Sequence, residues 1–378
     1  MTNTVKLLRE LIALPSVNPA YLSPADPYAG EERVAEFLAA VAAGAGLGIE
    51  FQAVCAKRAN LLARLTSRGK AQHRVVLAPH MDTVGGAEMP GKLFTPRIIG
   101  DRLFGRGACD TKGSIAVMLS VLAELALTPQ RPTHTEILLA CLVDEECGQR
   151  GSRALAASGL KADLAIVGEP TRLKVVTAHK GVMWYELKTV GKAAHGARPE
   201  LGRNAVHSMA RIVKFLLEDY AAQLKHRRHP LLGPGTISVG SIHGGRQPNI
   251  VPNECVCTID RRIVPGETDA KVVRDLKHLF KRQGLAAQWR SLQPGPCLPL
   301  ETDARQPLVR QFLHAARQNR PAGVDYFSDA GVLAHGGMPS VVFGPGDIAQ
   351  AHTAEEWIAL DQLEQGKALM LRFLQSLP

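Results

Sequence analysis

Among the 378 residues there is no C-x-x-C pair, no apolar run long enough to span a bilayer, and little aromatic content, 5%. Each absence removes a class of protein. The seven cysteines, Cys55, Cys109, Cys141, Cys147, Cys255, Cys257 and Cys297, are odd in number and spaced without pairs. That argues against both a disulfide framework and a cysteine zinc site, and leaves them as small buried hydrophobes. Without about 20 consecutive apolar residues, no membrane span and no membrane partner are expected. The opening MTNTVKLLRELIALPSVNP lacks the basic segment, apolar run and small-residue cleavage site of a secretory signal, so a cytoplasmic protein is the expectation. Acidic charge is also short, with 35 Asp and Glu against 45 Lys and Arg. The densest basic run, Lys225-His226-Arg227-Arg228-His229, carries no interleaved aromatics on which bases could stack; it reads as an exposed loop, and no nucleic-acid partner is expected.

What is present is the composition of a globular enzyme, 46% hydrophobic and 21% charged. A chain of 378 residues outgrows a single core, which favours two domains. Helical spacing puts Val5, Leu8, Leu11 and Ile12 on one face of residues 4–14, and Val34, Phe37, Leu38 and Val41 on one face of residues 31–45. Apolar runs at 74–80, 136–143, 164–168 and 340–344 have the length and composition of strands buried on both faces of a largely parallel sheet. Helical stretches alternate with them, the most apolar at 114–127, which is an α/β signature. Between about 176 and 292 the order becomes strand 176–190, helix 203–219, strands 236–243 and 254–263, helix 267–282 and strand 286–292. This spells β-α-β-β-α-β, a ferredoxin-like α+β plan. Because the strand at 340–344 resumes the first sheet, the small domain, 177–292, is inserted into a large one made of 1–176 and 293–378.

The polar residues able to do chemistry follow the apolar strands. His80 and Asp82 point the same way if the chain stays extended, as a metal-binding histidine and its orienting carboxylate would, or as a satisfied loop pair. Asp110 in GRGACDTKGS is a ligand or the carboxylate that opens the helix after it; the loop lacks the spacing of a phosphate cradle. Asp144, Glu145 and Glu146 end a strand suited to burial, so they bind a cation, take up protons, or form an exposed acidic turn. Glu169 and His352 follow the other two runs. Carboxylates and imidazoles gathered at strand ends supply donors for two metal ions sharing one bridge.

The ordered set HMDTV, GRGACDTKG, DEECG, GEPT, KAAHGARPELGRNAV and GPGDIAQAHTAEEW resembles the family of acetylornithine deacetylase, succinyl-diaminopimelate desuccinylase, aminoacylase and glutamate carboxypeptidase, over essentially the whole chain. The resemblance implies a zinc-exopeptidase-like catalytic domain with a mixed, mostly parallel sheet, and an inserted dimerisation domain. It implies two Zn²⁺ per subunit, with Co²⁺ or Mn²⁺ as substitutes. His80 and Glu169 would hold one ion, Glu146 and His352 the other, and Asp110 both. Glu145 would be the general base of a metal-activated water, and Asp82 the residue that orients His80. A cis peptide would follow Asp110. His195 would reach into the partner subunit of a homodimer to stabilise an oxyanion. Asn249 and Arg262 would contact the substrate carboxylate, although Arg261 could be the inward-facing residue of the pair. Ser328, with Tyr326 and Phe327, would lie near the acyl pocket.

The reaction so implied is hydrolysis of the amide bond of an N-acyl amino acid or short peptide. The tail GPGDIAQAHTAEEW resembles the acetylornithine deacetylase branch, which makes N-acetyl-L-ornithine the first candidate substrate. Desuccinylase, aminoacylase and carboxypeptidase or dipeptidase activities share the same chemistry, and a non-catalytic binding protein of this fold is the remaining alternative.

Overall fold

Each of the four apolar runs is a strand, over His73–Ala78, Thr135–Cys141, Leu164–Val167 and Ser340–Val342, in a computed structural model that describes residues 3–23, 26–85 and 90–378. Thr135–Cys141 pairs with His73–Ala78, that strand with Leu164–Val167, and that one with Ser340–Val342, all in parallel. Every residue of the last two strands is buried, as expected where helices cover both faces. Antiparallel strands flank this parallel centre. On one side lies the hairpin Gly48–Cys55 and Arg58–Leu65, whose strands alternate too weakly to announce themselves; on the other, Val176 pairs with Val342. The consequence for function is geometric. Four neighbouring parallel strands end on the same edge of the sheet, so whatever follows each of them is gathered there.

Lys112–Ala126 is apolar nearly throughout because it is buried nearly throughout, with Asn3–Ile12 and Leu360–Gln375 packed against it. Asn3–Ile12 turns Val5, Leu8, Leu11 and Ile12 inward, as its spacing predicts. Ile12 also fixes the loop before Lys112. Gly105 has φ +150°, and a Cβ there would lie 2.4 Å from Ile12 Cγ2. Gly105→Ala therefore combines backbone strain with overpacking and should destabilise the protein by about 3 kcal/mol. Urea denaturation checks this, and an unchanged midpoint would show that the loop can move aside.

The chain divides into two units, one of Met1–Thr177, Glu301–Ala322 and Ser328–Pro378, the other of Ala178–Leu300 and Gly323–Phe327. The second unit runs past the expected end at 292 and takes in a short later segment. Its elements are strand Gly181–Val190, helix Ala205–Phe215, strands Thr236–Gly244 and Glu254–Ile263, helix Asp269–Arg282 and strand Gln288–Ser291. The antiparallel sheet runs in the order Thr236–Gly244, Glu254–Ile263, Gly181–Val190, Gln288–Ser291. Burial alternates strictly along Glu254–Ile263, so one face is covered, and Met209, Ile212, Leu276 and Phe280 of the two helices cover it. Two expectations need correction. The single strand at 176–190 is two, broken at Lys180, because Val176 belongs to the first sheet and Gly181–Val190 to the second. The helix expected at 203–219 is regular only to Phe215, then passes through a π-turn at Leu216–Tyr220.

Candidate metal centre

The four strand ends deliver their side chains into one cluster. His80, just beyond His73–Ala78, donates from Nδ1 to the Asp82 carbonyl oxygen at 2.9 Å, which turns Nε2 toward the other acids. Nε2 faces Asp110 Oδ1 at 3.0 Å and Glu169 Oε1 at 3.8 Å. The backbone of Asp82 thus orients the ring more closely than its carboxylate, which stands 3.4 Å away. That carboxylate has other work. Oδ1 accepts from Glu145 N–H at 3.1 Å, and Oδ2 accepts from Glu146 N–H at 3.0 Å and Asn18 Nδ2 at 2.7 Å. Asp82 therefore fixes the backbone on which the two glutamates are carried.

Two donor groups share one residue. His80, Asp110 and Glu169 bring their ligand atoms together in the first, and Asp110, Glu146 and His352 in the second. His352 Nε2 lies 3.2 Å from both Asp110 Oδ2 and Glu146 Oε1. The peptide Asp110–Thr111 is cis, and His352 adopts φ +61°, a region rare outside glycine and tolerated where the surroundings enforce it. Oxygen and imidazole nitrogen donors suit Zn²⁺, Co²⁺ or Mn²⁺. Buried Glu169 Oε1 has no hydrogen-bond partner, as befits an oxygen that would bind a cation. The donor set fits divalent metals.

The electrostatics of the protein groups by themselves point the same way. Burial pushes the Glu169 and Glu145 carboxyls well above the usual range, with neighbouring acids adding to it, and raises Glu146 to about 7. Burial would pull His80 down, but Asp110 and Asp82 more than offset it; Asp110 and Glu146 raise His352 to about 10. The two imidazoles outweigh burial and hold Asp110 below the usual range, and three further acids that resist ionisation around them are the mark of a site short of positive charge. Glu145 belongs to neither donor group, is 7% exposed, and lies close enough to Glu169 and Asp329 to feel their charge. Asp144, with φ +68°, turns its side chain away to Arg58 at 2.9 Å and Asn18 at 3.0 Å.

The other expected residues fall elsewhere. Ser328 caps the helix Asp329–His335, its hydroxyl accepting from Ala330 N–H. In the second unit, His195 is exposed and its Nδ1 accepts from Ala197 N–H at 3.2 Å, so the neutral ring carries its proton on Nε2. The Asn249 carbonyl accepts from Gly196 N–H at 2.7 Å, which holds those two loops together. The register of Glu254–Ile263 separates the arginines. Arg261 is buried among the helices, bonded to Tyr220 and Glu267, whereas Arg262 lies on the opposite face and forks onto Asp260 at 2.9 and 3.0 Å.

Sequence reasoning passed over Asn18, which ties Asp82 to Asp144, and Glu356, whose carboxylate accepts from the backbone of the Asp110 loop. The Asn-Pro pair at 18–19 announces only a turn, and Glu356 reads as one more surface acid in AEEW. Both act through partners far away in sequence.

Residues 76–376 match the sequence profile of peptidase family M20/M25/M40. The acetylornithine deacetylase of Myxococcus xanthus is 32% identical over 328 residues, covering 84% of this chain and 83% of that protein. The enzyme of the same name from Edwardsiella ictaluri is 31% identical, covering 98% and 96%. An M20 family metallo-carboxypeptidase from Sulfolobus solfataricus shares the fold with a TM-score of 0.78 at 19% identity, covering 99% of each chain. No helix among the described residues is long and apolar enough to cross a membrane. The chain therefore belongs to peptidase family M20/M25/M40, and is a metal-dependent hydrolase of amide or peptide bonds in a small-molecule or peptide substrate.

Proposed function

We propose that the chain is a cytoplasmic deacylase of N-acyl amino acids, with N-acetyl-L-ornithine as its first candidate substrate. The observation that carries this reading is the pair of donor groups sharing Asp110, with Glu145 buried beside them and outside both. The names of the relatives at 32% and 31% identity support the substrate. Cys55, Cys109, Cys141, Cys147, Cys255 and Cys257 are in no disulfide, which suits a reducing compartment.

In this reading His80 and Glu169 hold one zinc, Glu146 and His352 a second, and Asp110 both. When bound, the ions supply Lewis acidity to water and to the amide carbonyl. Glu145 takes the proton of the attacking water and returns it to the leaving amine. His195, from a second copy of the chain, donates from Nε2 to the developing oxyanion. The homodimer forms through the second unit, whose outermost strand Thr236–Gly244 exposes Ile242 at 48% and leaves a free edge. Arg262 offers a guanidinium fork to the substrate carboxylate in exchange for Asp260, with Asn249 and Ser328 as further contacts.

The test is a hydrolysis panel of N-acetylornithine, succinyl-diaminopimelate, acetyl-methionine and dipeptides on zinc-loaded protein, with and without chelator. Chelator-sensitive release of ornithine is expected to exceed the other activities. Faster turnover of a dipeptide or succinyl substrate would overturn the substrate, and silence on the whole panel would overturn the deacylase reading.

A further inference from the structure

Glu356 is 3% exposed and takes no part in the donor groups, yet its carboxylate accepts four hydrogen bonds. Oε1 accepts from Cys109 N–H at 2.8 Å and Asp110 N–H at 2.9 Å; Oε2 accepts from Gly107 N–H and Arg106 Nη1, both at 2.9 Å. The Glu356 carbonyl also accepts from Gly105 N–H at 2.9 Å. Every side-chain partner is a donor, which is the environment of a carboxylate. The segment 105–110 is thereby wrapped around one side chain and ends on Asp110.

Glu356 has a second attachment. The next residue opens the strand Trp357–Ala359, which pairs with Arg102–Phe104, and His352 stands four residues before it. The loop of Asp110 and the segment of His352 thus meet at Glu356. The two donor groups differ in how much they need this tie. His80 and Glu169 are buried at the ends of sheet strands, whereas the His352 side chain is 54% exposed on an irregular segment.

We propose that Glu356 is a positioning residue for the second donor group, holding Asp110 and His352 in register so that Asp110, Glu146 and His352 are preformed for a cation. The proposal rests on the two-ion reading above. Residues that orient metal ligands typically cost about 10- to 100-fold in metal affinity when replaced. Glu356→Gln keeps the shape but sets an amide N–H against N–H donors; Asp110 serves both groups, but only the second also depends on the exposed His352, so the larger loss falls there.

The experiment is titration of metal-free wild type and Glu356→Gln with Co²⁺, followed by visible absorption and by bound cobalt after desalting. The wild type is expected to take up two ions per chain. The variant should lose about 10- to 100-fold in affinity at the second site and distinctly less at the first, with turnover recovered at high cobalt. A variant that binds both ions like wild type overturns the proposal. So does an equal loss at both sites accompanied by a lower melting temperature of the metal-free protein, which marks a merely structural role. A wild-type chain that binds one ion or none sinks the two-ion reading, and this proposal with it. If Glu356→Gln does not fold, Glu356→Asp, one methylene shorter, is read by the same titration.

Discussion

Glu145→Gln is expected to lower kcat by about 10²- to 10⁴-fold while the bound metal and KM stay near wild type. The side chain is outside both donor groups, so its loss takes no ligand from a cation. Its backbone N–H still donates to Asp82 Oδ1, and a glutamine of the same shape keeps the chain there undisturbed. What disappears is the ability to take a proton from water and return it to the amine. Glu146→Gln, one residue on, is the control. Glu146 Oε1 faces His352 and Asp110 across the second group, so this substitution should cost metal first and activity in consequence. Excess zinc then restores part of the Glu146→Gln activity and none of the Glu145→Gln activity. Full turnover by metal-loaded Glu145→Gln would remove Glu145 from the chemistry, and loss of an ion from it would make Glu145 a ligand.

The difference between these adjacent glutamates is hidden in the sequence, because the segment is a turn from Glu145 to Gly148 after Asp144 at φ +68° and not a continuation of the strand. The strand ends were more legible. Long apolar runs such as LAIV identify buried strands, and buried strands that end in His80, Glu145, Glu146 and Glu169 force the question of what balances the charge. The inserted unit was legible for a similar reason, since its two helices and four strands differ in period. Registers and long-range partners were hidden. Arg261 and Arg262 are adjacent and chemically equal, and only the pairing of Arg262 with Val182 and Thr236 decides which one meets the helices. The hairpin Gly48–Cys55 and Arg58–Leu65 was missed because its first strand is half exposed and carries little apolar alternation. Asn18 and Glu356 were missed because their work is to accept or donate across separations of 64 and 246 residues, which no local pattern records.

Stripping divalent cations from the protein should abolish hydrolysis and lower the melting temperature of the first unit by roughly 10 °C. The cluster draws Asp110, Glu145, Glu146 and Glu169 out of water beside only two imidazoles, His80 and His352, and Glu169 Oε1 has no hydrogen bond to offset its burial. Without cations Glu145, Glu146 and Glu169 must take up protons or repel one another and Asp110, which the imidazoles keep ionised. A cation at about 1,000 times its Kd stabilises the folded state by about 4 kcal/mol, and each kcal/mol is worth about 2–4 °C in a unit of this size. The effect should also be local. The core of Met183, Leu187, Ile212 and Phe280 belongs to the other unit and contains no ligand, so its sheet amides should keep their hydrogen-exchange protection while those of Leu139 and Ile166 lose some. Returning zinc should restore turnover and melting temperature together, because both depend on the same two groups of donors. A chain whose turnover and melting temperature are indifferent to chelation and to zinc would hold these acids and imidazoles together for some purpose other than metal chemistry.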